Sequence, residues 1–543
     1  MKKEAEMNIE KNVVKEMAFL ADREYTNSVD DTSLRCVLEG PEGVRIIPGF
    51  WVEKNIWKVR FSCPAEGSYS YRTEFSKPSD RGLNSQSGKF TVIPYSGDNP
   101  LYRHGRLRIS KNKRYLEYAD GTPFFWLADT WWMGLCERLV WPEDFQQLAM
   151  DRRNKDFSVI QIVAGLYPDM GPFDKRGRNE AGFPWEKGYK RINPEYFNCA
   201  DRRIKHLVDS GLMPCIVGCW GYHLTFAGTE KMKQHWRYLI ARYGAYPVVW
   251  CLAGEYDMPY YLTHNSKQGE DDQLLLRKEW AKVGGYVRET DPWKNVITMH
   301  PGTIMADVPE CRKAVDLDML QTGHSDNSIG NAVNRVRQSY DAEPKMPVIN
   351  GESVYEGIGG QCREQIQRLT FWACILNGAC GHTYGANGIW QVNRKEKPYG
   401  PSPHGMSWGD TPWDEAARLP GSCQLGLAKR LLERYEWHRF EPHPEWVETE
   451  VCEEDRNRHY YPYAAGIPGK VRIIYLPFFY GRFKIKKLEK DVAYKAFLFN
   501  PVNGKETILG AVRNTGEWSF PAKKGDRLPI FQDWVLVLER SGK

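Results

Sequence analysis

Two glutamates, Glu255 and Glu352, each follow a short apolar run, Val248–Leu252 and Val348–Asn350. Paired carboxylates are what hydrolysis of a glycosidic bond requires. One stays protonated and delivers a proton to the leaving oxygen; the other stays ionised to attack the anomeric carbon or to activate water. A desolvated site beside a second carboxylate raises the pKa of the acid toward the working pH. Similar apolar runs elsewhere end near further reactive side chains: Asp129, Gln161, the string Trp220-Gly221-Tyr222-His223, His300, the string Gln321-Thr322-Gly323-His324, and Tyr384 with Asn387 and Trp390 beyond it. Asp129, His223, His300 and His324 can hydrogen-bond sugar hydroxyls, and Tyr384 extends that set. The indoles of Trp131, Trp132, Trp220 and Trp390 offer apolar faces to the C–H faces of sugar rings. No Ser-His-Asp arrangement, Gly-x-Ser-x-Gly string or lysine occupies these run ends.

Elements must bring these groups together. Between about 120 and 435 the chain alternates apolar runs with amphipathic helical patterns. The runs are Phe124–Ala128, Val159–Val163, Pro214–Cys219, Val248–Leu252, Val296–Met299, Leu317–Leu320, Val348–Asn350 and Ala379–Tyr384. Helices open at Pro142-Glu143-Asp144 and at Asn193-Pro194-Glu195, with proline at the first turn and acids at the positive end of the dipole. A third opens at Thr229 and ends at Gly244, a fourth runs from about Arg363 to Asn377, and a fifth spans about 271–289. Gly211, Gly244 and Gly378 are placed as helix stops. Eight β/α units over roughly 300 residues predict a (β/α)8 barrel, whose active site lies at the C-terminal ends of its strands. Glu255 and Glu352 then end the fourth and seventh strands. A doubly wound sheet would need a phosphate loop after its first strand. That strand instead runs into Asp129-Thr130-Trp131-Trp132, and Gly357-Ile358-Gly359-Gly360 reads as a loop. The long segments Pro168–Arg191 and Gln391–Trp413 are placed to build or cover a pocket.

The flanks have another rhythm. Residues 13–95 hold short strands between turn signals, which predicts a β-sandwich, and Pro94–Pro100 reads as a linker. After about 440, Val471–Tyr475, Ala493–Phe499 and Trp534–Leu538 predict a second small β-domain. The resulting division is 1–98, 99–438 and 439–543. It suits 543 residues, because one core stops growing near about 250–300. A 13 % aromatic content excludes disordered, coiled-coil and collagen-like classes. Lys and Arg number 75 against 69 Asp and Glu, too small a surplus to suggest a nucleic-acid partner. The basic stretch Arg482–Lys487 alternates like a strand with one solvated face. No apolar run is long enough for a membrane span. The 13 cysteines are scattered with no Cys-x-x-Cys pair, Cys215 and Cys219 read as core thiols, and the 12 histidines are dispersed, so no metal or other cofactor is expected. No apolar segment follows Met1–Met7. Unpaired cysteines and no evident leader point to the cytoplasm, with a secreted or periplasmic location as the alternative if the sequence begins inside a longer chain. The oligomeric state is not readable.

Several motifs resemble a known family. Gly381-His382-Thr383-Tyr384-Gly385-Ala386-Asn387-Gly388-Ile389-Trp390-Gln391 is similar to the eighth-strand motif of the DUF4038 catalytic domain, the apiosidase-like glycoside hydrolases of family GH140. Ala128–Trp132, Gln321–His324 and Pro347–Gly357 are similar to it as well. The region with Gly49-Phe50 and Trp57–Phe61 resembles the DUF5060 β-sandwich that precedes such barrels. The tail, with Phe499–Gly504 and Asp533–Leu538, is similar to the β-domain that carries a collagen-binding label in the family. The resemblance implies a retaining glycosidase of the clan-A type acting on a plant cell-wall, pectic oligosaccharide, with the acid/base carried onto Glu255 and the nucleophile onto Glu352. There are two departures. Most of the wider clan has Asn immediately before the acid, touching the sugar 2-hydroxyl, where this chain has Gly254; and the apiosidase-like enzymes use Asp at the acid position. Glu reaches one carbon further, which bears on the substrate, and Asp257 is an alternative acid. A silent carbohydrate-binding or scaffold protein is the competing reading.

Overall fold

The structure, a computed structural model, describes residues 7–25, 33–260, 266–449, 458–477, 483–512, 516–520 and 532–542. At its centre eight parallel strands close into a barrel: Trp126–Trp131, Val159–Val163, Met213–Val217, Val249–Cys251, Ile297–Met299, Leu317–Gln321, Val348–Glu352 and Gly381–Tyr384. Strands buried on both faces read as near-continuous apolar runs, and Val159–Val163, with the hydrogen-bonded Gln161 its one polar residue, and Met213–Val217 are buried throughout. The eighth strand pairs with the first in the register Trp126 to Gly381 and Asp129 to Tyr384, which closes the ring.

The outer helices follow their punctuation. Glu143–Asn154 carries Glu143 and Asp144 in its first turn and Arg152 and Arg153 in its last. Pro194–Asp209 is capped by Asn193, whose side chain accepts from the Glu195 N–H, and it ends before Gly211 at φ +75°. Thr229–Tyr243, Ser266–Thr290 and Glu364–Leu376 are the other three expected helices. Two more, Ile329–Asp341 and Pro420–Leu432, follow the sixth and eighth strands. The fifth strand is followed by a 3-10 turn, Met305–Asp307, and the short helix Pro309–Arg312. Among the described residues no helix is long and apolar enough to cross a membrane.

Among the described residues three sheets precede the barrel: one of five strands, one of three that packs on it, and a small one made of Leu107–Ile109, Leu116–Tyr118 and Pro123–Phe124. Leu34, Cys36 and Leu38 alternate inward on the first and meet Trp57, Val59 and Phe61 of the second in one apolar core. After the barrel, a six-stranded sheet runs Glu441–Pro442, Tyr463–Ile467, Val471–Leu476, Trp534–Arg540, Tyr494–Phe499, Glu506–Ala511 in spatial order. Its central strands are buried on both faces. Ile473, Tyr475, Val535 and Val537 join the barrel core, whereas Ile474, Leu476, Leu536 and Leu538 face the small sheet Val447–Thr449, Phe483–Ile485, Trp518–Phe520. Tyr475 stacks on Trp372 of the helix after strand seven, and Arg368 of that helix pairs with Asp533 at 2.7 Å. This sheet therefore braces the helix that follows strand seven, whose last residue is Glu352. In the basic stretch, Phe483 and Ile485 are buried and Lys484 is exposed, as alternation requires; Arg482 lies outside the described residues. The twelve described cysteines are all free, Cys215 and Cys219 among the buried ones.

Candidate active site

Glu352 is the last residue of strand seven and is almost wholly buried. Three neighbours surround its carboxylate. Tyr355, one turn of chain later, donates its hydroxyl to Oε1. His300, just past strand five, sets Nε2 at 2.9 Å from Oε2, and His324 sets Nε2 at 3.6 Å from Oε1. The His300 contact is short but not aligned as a hydrogen bond, so Oε2 has no aligned donor. The Tyr355 hydroxyl in turn accepts from Trp132 Nε1 at 2.7 Å, and the Tyr355 ring stacks on His324. Gly385 makes room for that ring, because a Cβ there would lie 2.1 Å from it. Burial alone would raise the pKa of Glu352, but the imidazoles of His300 and His324 and the Tyr355 hydroxyl outweigh it and hold the carboxyl below the usual glutamate range.

Glu255 has the opposite environment. It follows strand four in left-handed backbone, φ +42°, a conformation that costs an L residue about 1 kcal/mol or more and persists at functional sites. Its Oε2 accepts from Trp220 Nε1 at 2.9 Å and its Oε1 from Gln321 Nε2 at 3.2 Å. Part of Glu255 is open to the cavity, yet the protein around it removes most of its hydration. That desolvation, followed by the negative charge of Glu352, pushes its pKa well above the ordinary range, against the hydrogen bond from Trp220.

Gly254 explains the first departure. A Cβ at 254 would lie 2.3 Å from the Trp220 ring. The indole occupies the space a side chain before Glu255 would need, and its own N–H supplies a donor there. Gly254→Ala is therefore expected to displace Trp220 and lower kcat/KM by about 10- to 100-fold, with little change in Tm; unchanged kinetics would show that the indole yields freely.

Glu255, Glu352, Trp220, His324 and Trp390 line one cavity of about 270 Å³, together with Trp132, Pro168, Asp169, Met258, Gln321, Tyr355, Ile358, His404 and Trp408. Glu255, His324 and Glu352 each bring one donor atom within 4.8 Å of the other two, and these are the side chains that could hold a cation. His300 stands behind Glu352, fully buried.

Four expected binding residues lie away from the cavity. Asp129 accepts from Arg152 Nε at 2.6 Å and from Trp131 Nε1 at 2.8 Å, all three buried between strand one and its helix. Trp131 packs edge-on against Phe145 of that helix. Tyr384 donates to Glu356 Oε2 at 2.5 Å. The cause is strand alternation: successive side chains face opposite sides. Asp129 and Tyr384 share a register position and both point outward, whereas Thr383, on the other face, bonds Gln161. His223 Nε2 bonds the Tyr167 carbonyl at 2.9 Å, and burial pushes its pKa down to about 4. Asp257 is paired with Arg277 at 2.8 Å, outside the cavity lining. Asp129→Ala, which strands the Arg152 guanidinium in the core, is expected to cost about 3–5 kcal/mol in denaturant unfolding while sparing KM; a stable variant with raised KM would return Asp129 to the site.

Of the residues absent from the candidate set, Tyr355 carries a legible signal, three positions after Glu352 on the same loop. Asp169 and Trp408 fall in the two long segments expected to build a pocket, but nothing in sequence singles them out or pairs them, 239 positions apart.

Residues 110–439 match the model of the apiosidase-like catalytic domain. The chain belongs to that family. Residues 8–76 match the domain of unknown function DUF5060, and the apiosidase-like barrel with its flanking sheets is shared by solved structures. One, a glycoside hydrolase, is 22 % identical with a TM-score of 0.68, over 82 % of this chain and 99 % of its own. Another, a glycoside hydrolase family 5 structure from Bacteroides vulgatus ATCC 8482, is 21 % identical with a TM-score of 0.68, over 82 % of this chain and 96 % of its own. A third, a candidate glycoside hydrolase from the same organism, is 16 % identical, scores 0.68, and extends the match to 98 % of this chain and all of its own. No curated protein sequence matches the chain. At these identities the solved structures speak for the fold; the family match makes the barrel an apiosidase-like glycoside hydrolase domain.

Proposed function

We propose that the protein is a retaining glycosidase of plant cell-wall, pectic glycosides, with Glu352 as nucleophile and Glu255 as acid/base. One observation carries this reading: two carboxylates with one oxygen each within 4.8 Å stand in environments that drive their pKa values apart. Double displacement needs carboxyls about 5–5.5 Å apart, whereas an inverting enzyme leaves room for water at about 6.5–9.5 Å.

In the first step an oxygen of ionised Glu352 bonds to the anomeric carbon. The bond to the leaving oxygen breaks, its electron pair stays on that oxygen, and the proton of Glu255 goes to it. Trp220 and Gln321 hold Glu255 in place; Tyr355, His300 and His324 keep Glu352 charged and oriented. In the second step Glu255, now a carboxylate, takes a proton from water, the water oxygen bonds to the anomeric carbon, and Glu352 is released. The test is hydrolysis of a panel of aryl glycosides and pectic oligosaccharides, with product configuration followed by NMR. The expected result is cleavage with retention. Inversion would overturn the double displacement, and tight glycan binding without cleavage would favour the scaffold reading.

A further inference from the structure

The two long loops that rise from strands two and eight meet across the mouth of the barrel. Trp408 Nε1 donates to Asp169 Oδ2 at 2.5 Å. Behind that bridge Arg176 binds both loops, donating to the carbonyls of Asp169 at 3.3 Å and Pro401 at 3.0 Å, while its guanidinium lies over the Tyr399 ring. The Tyr399 hydroxyl reaches the Pro168 carbonyl at 3.5 Å. On the strand-eight side, Arg138 donates to the carbonyls of Val392 and Lys397 at 3.1 and 2.6 Å. Arg176, bound to carbonyls on both loops, and Arg138, bound to two carbonyls of the strand-eight loop, make a fixed wall.

Among the described residues the wall stands on the side of strands two and eight. In a ring of eight strands the eighth lies opposite the fourth, so the wall faces Glu255 across the site. Met258, on the Glu255 side, is 39 % exposed. An acid must stand beside the oxygen it protonates, which places the leaving group over Glu255 and Met258. The sugar bonded through its anomeric carbon then lies toward strands one, two and eight, among Trp132, Trp390 and Trp408. The space there is short. The whole cavity holds about 270 Å³, below the ~300–1,000 Å³ of pockets that take drug-sized ligands.

We infer that the Asp169–Trp408 bridge is the end wall of a one-sugar pocket, so that the enzyme releases single terminal sugars from the non-reducing end of a glycan. This inference rests on the proposed roles of Glu255 and Glu352, and it adds the mode of attack and the class of substrate: a chain end whose terminal sugar bears no further substituent on the side facing the wall.

The experiment compares the best monosaccharide nitrophenyl glycoside from the panel with the disaccharide nitrophenyl glycoside that carries one further sugar on it. Wild-type kcat/KM for nitrophenol release should favour the monosaccharide by roughly 100-fold or more, because a second ring collides with a fixed wall. Trp408→Ala, which opens the wall, should reduce that ratio at least about tenfold; Trp408→Phe, which keeps an aromatic ring and only loses the hydrogen bond, should leave most of it. Equal release from both glycosides by wild type, or a ratio that does not move in Trp408→Ala while the monosaccharide is still cleaved, overturns the inference and leaves the hydrolase reading intact. A binding arm separates the converse case. Tryptophan fluorescence of the Glu352→Gln protein is titrated with the corresponding methyl monosaccharide and methyl disaccharide. Selective binding of the monosaccharide by a chain whose wild type cleaves no glycoside would sink the hydrolase reading and keep the pocket; binding of both sugars alike, or of neither, sinks the pocket.

Discussion

Replacing Glu352 by glutamine is expected to reduce kcat/KM by about 10⁵–10⁶-fold, roughly 7–8 kcal/mol of transition-state stabilisation, with folding intact. The amide matches the carboxylate in size and its oxygen still accepts from Tyr355, so the surroundings keep their packing. What disappears is the charge that bonds to the anomeric carbon and that His300 and His324 hold in place. The measurement pairs steady-state kinetics on an aryl glycoside with thermal unfolding. A folded variant that keeps more than about 1 % of activity would remove Glu352 from the reaction. Glu352→Ala adds a stereochemical check. Azide admitted to the vacated face should attack the anomeric carbon, expel the phenolate and give a glycosyl azide of inverted configuration. An unrescued variant, or azide with retained configuration, would count against a nucleophile at that position.

Glu255→Gln should act through the leaving group. Alkyl and sugar leaving groups need a proton as they depart, and losing the acid should cost about 10²–10⁴-fold. A dinitrophenyl glycoside needs little help, so its first step should proceed at close to the wild-type rate and the slow release of the glycosyl-enzyme should appear as a burst. Equal losses for both leaving groups would argue against an acid role. The pH profile follows from the two environments. Activity requires Glu352 ionised, so it falls on the acid side only as pH drops through a pKa held below the glutamate range. It also requires Glu255 protonated, so it falls on the alkaline side as pH rises through a pKa held above that range. Glu255→Gln should remove the alkaline limb. Trp220→Phe, which takes away the hydrogen bond favouring the ionised form, should move that limb to higher pH.

Much of the barrel is legible from the sequence alone, because parallel strands buried on both faces read as near-continuous apolar runs, and Val159–Val163 (with Gln161 its one polar residue) and Val348–Asn350 recur in alternation with helical segments. Asn193 before Pro194 and Gly211 after Asp209 delimit a helix by capping chemistry alone. The two catalytic candidates are legible for the same reason, since both follow such runs. What fails is the facing of residues at run ends. Asp129, Trp131 and Tyr384 sit at the right height on the barrel, but one step along a strand reverses direction, and only register with the neighbouring strand says which parity looks inward. The helices Ile329–Asp341 and Pro420–Leu432 pass unnoticed, the second because it opens on Pro420 after a long irregular segment. Trp408 and Asp169 are beyond any local pattern: each becomes part of the site only when two loops from different strands touch.

The pairing of Trp220 with Gly254 also constrains how this site can change through descent. Any side chain at 254 collides with the indole, and any residue at 220 without an N–H in that place leaves Glu255 Oε2 without its donor. A lineage that exchanges this arrangement for one with a polar side chain before the acid must alter both positions, and whichever changes first passes through a weakened enzyme. The two codons are thus epistatic, and the pair should be gained or lost as a unit among descendants of a common ancestor.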